Sequence, residues 1–151
     1  MPPVPCVQEV FLLEENMRFI TLTQEFYTKY SDCTEILDKE DRPYALMQIE
    51  INGILFGIPI RHHINHPFAF KTIDDRGIDY TKAVVIEKSD YISDVDAWID
   101  TAEWRIISRN EDKIRYEFKK YLNQYKRALK HKDNPRSDIY LKYSALQYFD
   151  F

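Results

Sequence analysis

A chain of 151 residues with 44% apolar and 30% charged residues has the length and composition of one ordinary globular domain. Aromatic residues make up 15% of the chain, which argues against intrinsic disorder. No apolar run approaches the roughly 18 residues that a membrane-spanning helix needs, which excludes an integral membrane protein. The two cysteines, Cys6 and Cys33, are too few for a disulfide framework, and no secretory signal is visible. We therefore expect inert thiols and a cytoplasmic location.

The charges are distributed unevenly along the chain. The formal net charge is −4, yet residues 105–142 contain 12 Lys and Arg against 5 Asp and Glu. A basic segment on an acidic protein indicates either a surface that faces phosphates or a solvated helix face with many ion pairs. Both interpretations stay open on charge alone.

The first elements follow from local signals. Residues 1–16 contain three prolines and no periodicity, so we predict an N-terminal extension ahead of a single domain over residues 17–151. The apolar run Phe19–Leu22 predicts a first strand. Thr23 is a suitable N-cap for a short helix that continues to Tyr30.

Two turns organise the middle of the chain. Asn52-Gly53 lies between the apolar runs Tyr44–Ile51 and Ile54–Ile60, which is the signature of a type I′ hairpin because both central residues need a positive φ. A second turn, Asp74–Gly77, is expected to join Phe68–Ile73 to a strand over Ala83–Ile86. Pro59 and Pro67 predict that the segment between them leaves the sheet.

The last third of the chain is predicted to be mostly helical. A short strand is expected near Trp104–Ile107, and the longest helix begins after Asn110. Its predicted buried stripe follows helical spacing: Ile114, Phe118, Tyr121, Tyr125 and Leu129. A short closing helix is expected over Ser137–Tyr148. The fold class is therefore α+β, with a mostly antiparallel sheet and helices packed on it.

Three of the four histidines lie within five positions, in the run Arg61-His62-His63-Ile64-Asn65-His66 that follows a predicted strand. Imidazoles exchange protons near neutral pH, and a guanidinium can hold a phosphate with two hydrogen bonds. Lys71, Arg76 and Lys82 follow, and the predicted hairpin returns Lys82 towards the histidines. This set of residues favours metal-free chemistry on a phosphate.

Other interpretations of these residues remain open. The histidines can be ordinary surface residues, or two or three of them can hold zinc, although their spacing matches no strong zinc pattern. The acidic stretch Asp90, Asp94, Asp96 and Asp100 can bind a divalent cation or be a solvated turn. The chain has no Walker motif and no Gly-x-Ser-x-Gly motif.

Six segments occur in an order that is typical of one protein family: Met17–Thr23, Arg42–Tyr44, Asn52-Gly53, Ile58–His66, Gly77–Ile86 and Asn110–Ile114. In these segments the chain resembles the toxins of type III toxin–antitoxin systems, the ToxN/AbiQ endoribonucleases, and most closely their TenpN and CptN branches. The resemblance covers residues 17–151.

The resemblance implies a twisted antiparallel sheet with packed helices, similar to the MazF/Kid type of toxin. It also implies metal-independent cleavage of cellular RNA that leaves a 2′,3′-cyclic phosphate. The implied partner is a small folded antitoxin RNA, which the toxin processes from a repetitive precursor and then binds in a closed assembly of toxin and RNA. No cofactor is implied.

The resemblance carries over the location of the site more firmly than the role of each residue. The ToxN branch has a lysine at the position of Arg42. At positions 61–64 it has the pattern Thr-Ser-x-Lys, whereas this chain has Arg-His-His-Ile and therefore lacks the lysine at position 64. The TenpN-like branch has an arginine and a histidine that match Arg61 and His63, and a further histidine that matches His66.

The sequence therefore predicts an endoribonuclease toxin. We expect His63 and His66 to transfer protons, and Arg42, Arg61 and Lys82 to stabilise the phosphate, with His62 and Tyr44 as second choices. The predicted RNA-binding side chains are Arg76, Arg115, Lys119, Lys126 and Lys130. The alternative is a non-catalytic RNA- or protein-binding module that uses the same basic helix.

Overall fold

The computed structural model describes residues 18–36 and 45–151. Over these ranges the protein is α+β, as predicted, with a six-stranded sheet in which every pair of neighbouring strands is antiparallel. The predicted extension over residues 1–16 lies outside the described residues. No helix in the described part of the chain is long and apolar enough to cross a membrane.

The sheet consists of β1 (Arg18–Ile20), β2 (Leu46–Ile51), β3 (Ile54–Arg61), β4 (Ala69–Lys71), β5 (Gly77–Asp79) and β6 (Val84–Val85). The strand order is β1-β2-β3-β5-β4, and β6 pairs with the first half of β3. Strand β3 is therefore the central strand, and its last residues lie beside β5.

Four α-helices lie in the described ranges: α1 (Gln24–Lys29), α2 (Thr101–Arg109), α3 (Glu111–Lys130) and α4 (Asp138–Leu141). Short 3₁₀ turns cover Tyr80–Lys82, Ser89–Tyr91, Pro135–Ser137 and Ala145–Tyr148. The core lies between the sheet and α3, where Phe56 of β3 packs edge-on against Phe118 with ring centroids 5.2 Å apart.

The local predictions based on turn and cap residues are confirmed. Asn52 and Gly53 have φ angles of 53° and 81°, as a type I′ hairpin requires. The side chain of Thr23 accepts a hydrogen bond from the Phe26 N–H and caps α1. The longest helix begins after Asn110, as expected.

The prediction that the segment between Pro59 and Pro67 leaves the sheet is confirmed from residue 62 onward, although β3 continues two residues past Pro59, to Arg61. The Ile60 N–H donates to the Ala45 carbonyl on the β2 side, so the Pro59 nitrogen points to the opposite edge. At that edge β6 pairs with β3 as far as Gly57, and β5 pairs with β3 from Ile60 onward. Pro59 lies between these two paired segments. A residue without an N–H fits this gap, since no neighbouring strand needs its hydrogen bond.

Two other predictions are wrong, namely the partner of the Ala83–Ile86 strand and the strand near Trp104–Ile107. The strand that follows the Asp74–Gly77 turn is β5, and the Ala83–Ile86 region contributes β6 to a different part of the sheet. The segment Trp104–Ile107 is part of α2. Asp100 caps this helix by accepting hydrogen bonds from the N–H groups of Ala102 and Glu103, and this cap favours a helix over a strand.

The end of the chain follows the prediction in part. In α3 the stripe from Ile114 to Tyr125 is buried, but Leu129 is exposed and Ala128 faces the core in its place. The expected closing helix over Ser137–Tyr148 is divided into α4 and two 3₁₀ turns.

Gly77 is expected to be the least replaceable glycine of the sheet. A Cβ there would lie 2.1 Å from the Phe70 carbonyl oxygen, whereas a Cβ at Gly57 would lie 3.0 Å from the end of the Leu46 side chain. Gly77→Ala should lower the free energy of unfolding by about 2–3 kcal/mol, because backbone has to move, and Gly57→Ala by about 1 kcal/mol or less. Urea unfolding of both variants measures the difference, and equal midpoints would contradict the close packing of β4 and β5.

Candidate active site

The candidate site is organised around a buried carboxylate, Asp79, at the end of β5. Its side chain has no exposed surface. Strands β3 and β5 pair Arg61 with Gly77, which brings the last residue of β3 alongside β5. Arg61 Nη1 donates a hydrogen bond of 2.9 Å to Asp79 Oδ2. This ion pair ties the end of the central strand to its neighbour.

The second oxygen of Asp79 holds the chain that follows β5. Oδ1 accepts hydrogen bonds from the Thr81 N–H at 3.0 Å and from the Thr81 hydroxyl at 2.6 Å. These bonds cap the 3₁₀ turn Tyr80–Lys82. The carboxylate is thus hydrogen-bonded on both oxygens, which is what a buried charge needs in order to be tolerated.

His66 faces the same carboxylate from the loop after β3. Its Nδ1 accepts a hydrogen bond of 3.1 Å from the Phe68 N–H, so the proton of a neutral ring is on Nε2. Nε2 lies 3.2 Å from Asp79 Oδ1 but off the direction of a hydrogen bond, and it makes none with the rest of the described chain. Both ring nitrogens therefore face protein groups.

The ring of His66 continues into an aromatic cluster. It stacks on Phe68 with centroids 6.2 Å apart, and Phe68 contacts Tyr121 of α3 and Tyr140 of α4. Burial raises the pKa of the Tyr121 phenol above its ordinary value, and the nearby Asp79 charge adds to this effect. The phenol therefore stays neutral beside the carboxylate.

His62 and His63 point away from this cluster. Both are exposed, and the His63 side chain has 91% of its surface accessible. His63 adopts a φ of 59°, a left-handed conformation that is uncommon outside glycine. The loop is fixed by the Ile64 N–H, which donates to the Asp75 carbonyl at 2.9 Å.

Asp75 also holds the imidazole of His63. Its Oδ2 lies 3.1 Å from His63 Nδ1. Slight burial by itself would raise the pKa of Asp75, but the hydrogen bonds and charge of His63 outweigh it and lower that pKa. Because Asp75 accepts the proton of Nδ1, the tautomer with a free Nε2 lone pair is favoured, and Nε2 is left to the solvent.

The other predicted phosphate ligands do not join this group. Lys82 donates instead to Glu35 at 2.7 Å and to the Tyr143 carbonyl at 3.2 Å. Arg76 Nη1 lies 3.6 Å from Glu103 Oε1, a buried carboxylate of α2. Arg42 and Tyr44 lie outside the described residues.

The long helix presents a group of exposed cations that we call the basic face: Lys119, Lys120, Lys126, Arg127 and Lys130. None of the five forms an ion pair with another described residue, and Lys126 lies over the Phe151 ring, 5.3 Å from its centroid. Arg115 does not belong to this face. Its guanidinium donates to the Glu50 carbonyl and pairs with Glu111, so it is half-buried against β2.

Within the described ranges, no group of three or more His, Cys, Asp or Glu side chains is arranged to hold a metal ion. Of the acidic stretch singled out in the sequence, Asp100 caps α2. Partial burial, and then the charge of Asp32, raise the pKa of the Cys33 thiol, which disfavours a reactive thiolate.

Comparison of the chain with family models, curated proteins and solved structures finds no match. Function therefore has to be inferred from the residues and their geometry.

Sequence reasoning missed the three residues that hold the site together: Asp75, Asp79 and Thr81. Asp79-Tyr80-Thr81 carries a weak signal, because an Asp side chain often accepts a hydrogen bond from the N–H two residues later. Nothing local indicates that the same Asp binds Arg61, 18 residues earlier in the chain.

The two aspartates provide a matched test of this geometry. Asp79→Asn should lower the free energy of unfolding by about 2–3 kcal/mol, because the amide has one accepting oxygen where the carboxylate uses two, for Arg61 and for Thr81, and because the guanidinium loses its charged partner. Asp75→Asn changes an exposed pair and should leave stability unchanged. Urea unfolding checks both, and equal losses would show that Asp79 is not the organising group.

Proposed function

We propose that the chain is the endoribonuclease toxin of a type III toxin–antitoxin system, and that it cleaves RNA without a metal ion. The observation that carries this proposal is the end of β3, where the Arg61 guanidinium is followed directly by the exposed imidazoles of His62 and His63. Two proton-transfer groups and a cation are what the reaction needs. The antiparallel α+β architecture agrees with the fold class that the resemblance implies. We further propose that its strands and helices are arranged as in the MazF/Kid type of toxin.

In this reaction the 2′-oxygen of the substrate forms a bond to phosphorus while the bond from phosphorus to the 5′-oxygen breaks. His63 Nε2 takes the proton of the 2′-hydroxyl, since Asp75 occupies Nδ1. A second imidazole gives a proton to the departing 5′-oxygen. His62 suits this role better than His66, because it is exposed and its ring centroid lies 6.4 Å from that of His63.

Arg61 stabilises the negative charge that develops on the pentacoordinate phosphate. One of its nitrogens is bound to Asp79, which leaves further N–H donors on a side chain that is 30% exposed. His66 acts as a positioning residue, because it fills the space between the loop and Asp79. The products are a 2′,3′-cyclic phosphate and a free 5′-hydroxyl.

The proposed partner is a small folded antitoxin RNA that the toxin cuts from a repetitive precursor. The basic face supports this part of the proposal, since its cations have no carboxylate partners within the described ranges and are free to neutralise phosphates. The same cations also favour a second candidate, a binding module without catalysis. Tandem short repeats immediately upstream of the gene are expected for the toxin and not for the module.

Cleavage should persist in excess EDTA and should depend on His63. His63→Ala should slow cleavage about 100-fold or more, because general-base catalysis contributes at least that factor. His131→Ala, which changes the exposed histidine at the end of α3, should cleave like the wild type. Gel analysis of a labelled RNA measures the rate and identifies the cyclic phosphate end.

A different experimental result would contradict each part of the proposal: the metal-free mechanism, the role of His63 and the catalytic activity itself. Cleavage that disappears in EDTA and returns with a divalent ion would overturn the metal-free mechanism. Equal activity of His63→Ala and wild type would remove His63 from the site. A protein that binds RNA and cuts none under any of these conditions would be the binding module.

The basic face should supply affinity and salt dependence rather than sequence choice. The double variant Lys119→Gln/Lys130→Gln should weaken binding to RNA transcribed from the upstream repeats by a similar factor for related RNAs. It should reduce the slope of log K against log salt by about 1–2, at roughly 0.7–0.9 per phosphate contact. Unchanged affinity and slope would show that the face is only solvated and would leave RNA binding to the Arg61 loop.

A further inference from the structure

An aromatic side chain lies at one end of the basic face without a packing role. Tyr116 of α3 is 68% exposed and has no hydrogen bond or ring contact with another described residue. Residues three and four positions apart on a helix are neighbours, so Tyr116 has Lys119 and Lys120 beside it on the next turn and Asp112 and Lys113 on the previous turn. An exposed ring next to cations is available to a ligand that combines an aromatic face with negative charge.

The other tyrosines of α3 differ from Tyr116 in that they have a packing role. Tyr121 and Tyr125 are buried and belong to the core between α3 and the sheet. Tyr116 points to the opposite side, where the core pattern asks for a polar residue. Its ring contributes nothing to the packing of the described chain.

The dimensions of the face fit a short strand of nucleic acid. From Tyr116 to Lys130 the helix is about 21 Å long, at a rise of roughly 1.5 Å per residue. At about 3.4 Å per phosphate along one stacked strand, this corresponds to on the order of six nucleotides.

We propose that the basic face together with Tyr116 binds single-stranded nucleic acid, in which Tyr116 stacks on one unpaired base and the cations contact the phosphates. That the natural ligand is RNA rests on the proposed function. The new element is that the basic face and Tyr116 bind an unpaired segment of that RNA. Base stacking on an aromatic ring needs no particular base, so the face accepts many sequences.

Single strands fit these residues better than duplexes or acidic proteins. In a duplex the faces of the bases are covered by their neighbours, and the major groove of an RNA helix is too narrow for side chains to reach the bases. An acidic protein would match the cations but would leave the tyrosine ring without a specific partner. The combination of cations and an exposed ring is what distinguishes the three ligands.

The test uses the full chain and a fluorescently labelled strand of oligodeoxythymidine, whose binding is followed by anisotropy. This strand lacks the 2′-hydroxyl, so the proposed cleavage cannot occur and binding is measured alone. The variants are Tyr116→Ala, Tyr116→Phe and the double variant Lys119→Gln/Lys130→Gln. Tyr143→Ala is the matched control, because Tyr143 is also exposed, at 59%, but lies outside α3.

Tyr116→Ala should weaken binding at least about fivefold without changing the salt slope, because one stacked base is lost and no phosphate contact. Tyr116→Phe and Tyr143→Ala should bind like the wild type. The double lysine variant should lower the salt slope by about 1.4, at roughly 0.7 per contact for a single strand. The single strand should also bind more tightly than the duplex of the same length.

The proposal is overturned if Tyr116→Ala binds like the wild type, if Tyr143→Ala loses as much, or if the duplex binds more tightly. Polyglutamate is added as a competitor for the labelled strand. If it competes as well as the unlabelled oligonucleotide, and Tyr116→Ala does not change that competition, the basic face binds an acidic protein instead. The outcome is independent of cleavage, because loss of nuclease activity in His63→Ala and loss of strand binding in Tyr116→Ala are separate measurements.

Discussion

The Asp79 carboxylate joins three pieces of the chain at the end of β5. It receives Arg61 from β3, Thr81 from the following 3₁₀ turn and the ring edge of His66 from the loop between them. A charge without solvent contact is expensive to bury, and the hydrogen bonds on both oxygens offset that cost. Strand pairing ends at Arg61, so the loop beyond it depends on contacts such as this one for its position. With this anchor, the backbone from Arg61 onward has a fixed direction.

This anchor divides the loop after β3 into two chemically different sides. Arg61 and His66 turn towards the carboxylate, and their groups are partly or fully engaged by protein. His62 and His63 turn outward, where Asp75 holds one imidazole in a defined tautomer. A site for proton transfer needs both properties, since a rigid support must present groups that the substrate can reach. In the proposed reaction the inward side supplies the support, and the outward side supplies the chemistry.

The basic face of α3 adds a surface with a different task. The core side of α3 is committed to the sheet through Phe118 and its neighbours, so the opposite side is free to carry charge. Its cations are not neutralised by carboxylates in the described chain, although the protein as a whole is acidic. Long-range attraction and chemistry can therefore be assigned to separate surfaces. In the proposed function the loop cuts the RNA and the helix holds it in place.

Local physical rules determined the elements whose signals lie within a few residues. The Asn52-Gly53 hairpin, the Thr23 cap and the helix after Asn110 were predictable because backbone conformation, capping and helical periodicity act over short distances. The assignment of β5 and of α2 was missed, since a three-residue strand has no usable pattern and its partner is chosen by distant contacts.

At the site, the sequence determined that Arg61 and three histidines lie close together, because all four fall within positions 61–66. Only the tertiary structure decided which imidazoles face the solvent, that Lys82 binds Glu35, and that Asp75 and Asp79 hold the loop from 12 and 18 residues away. The physical reason is that side-chain direction and burial depend on contacts between residues far apart in the chain, which charge and spacing within one segment do not encode.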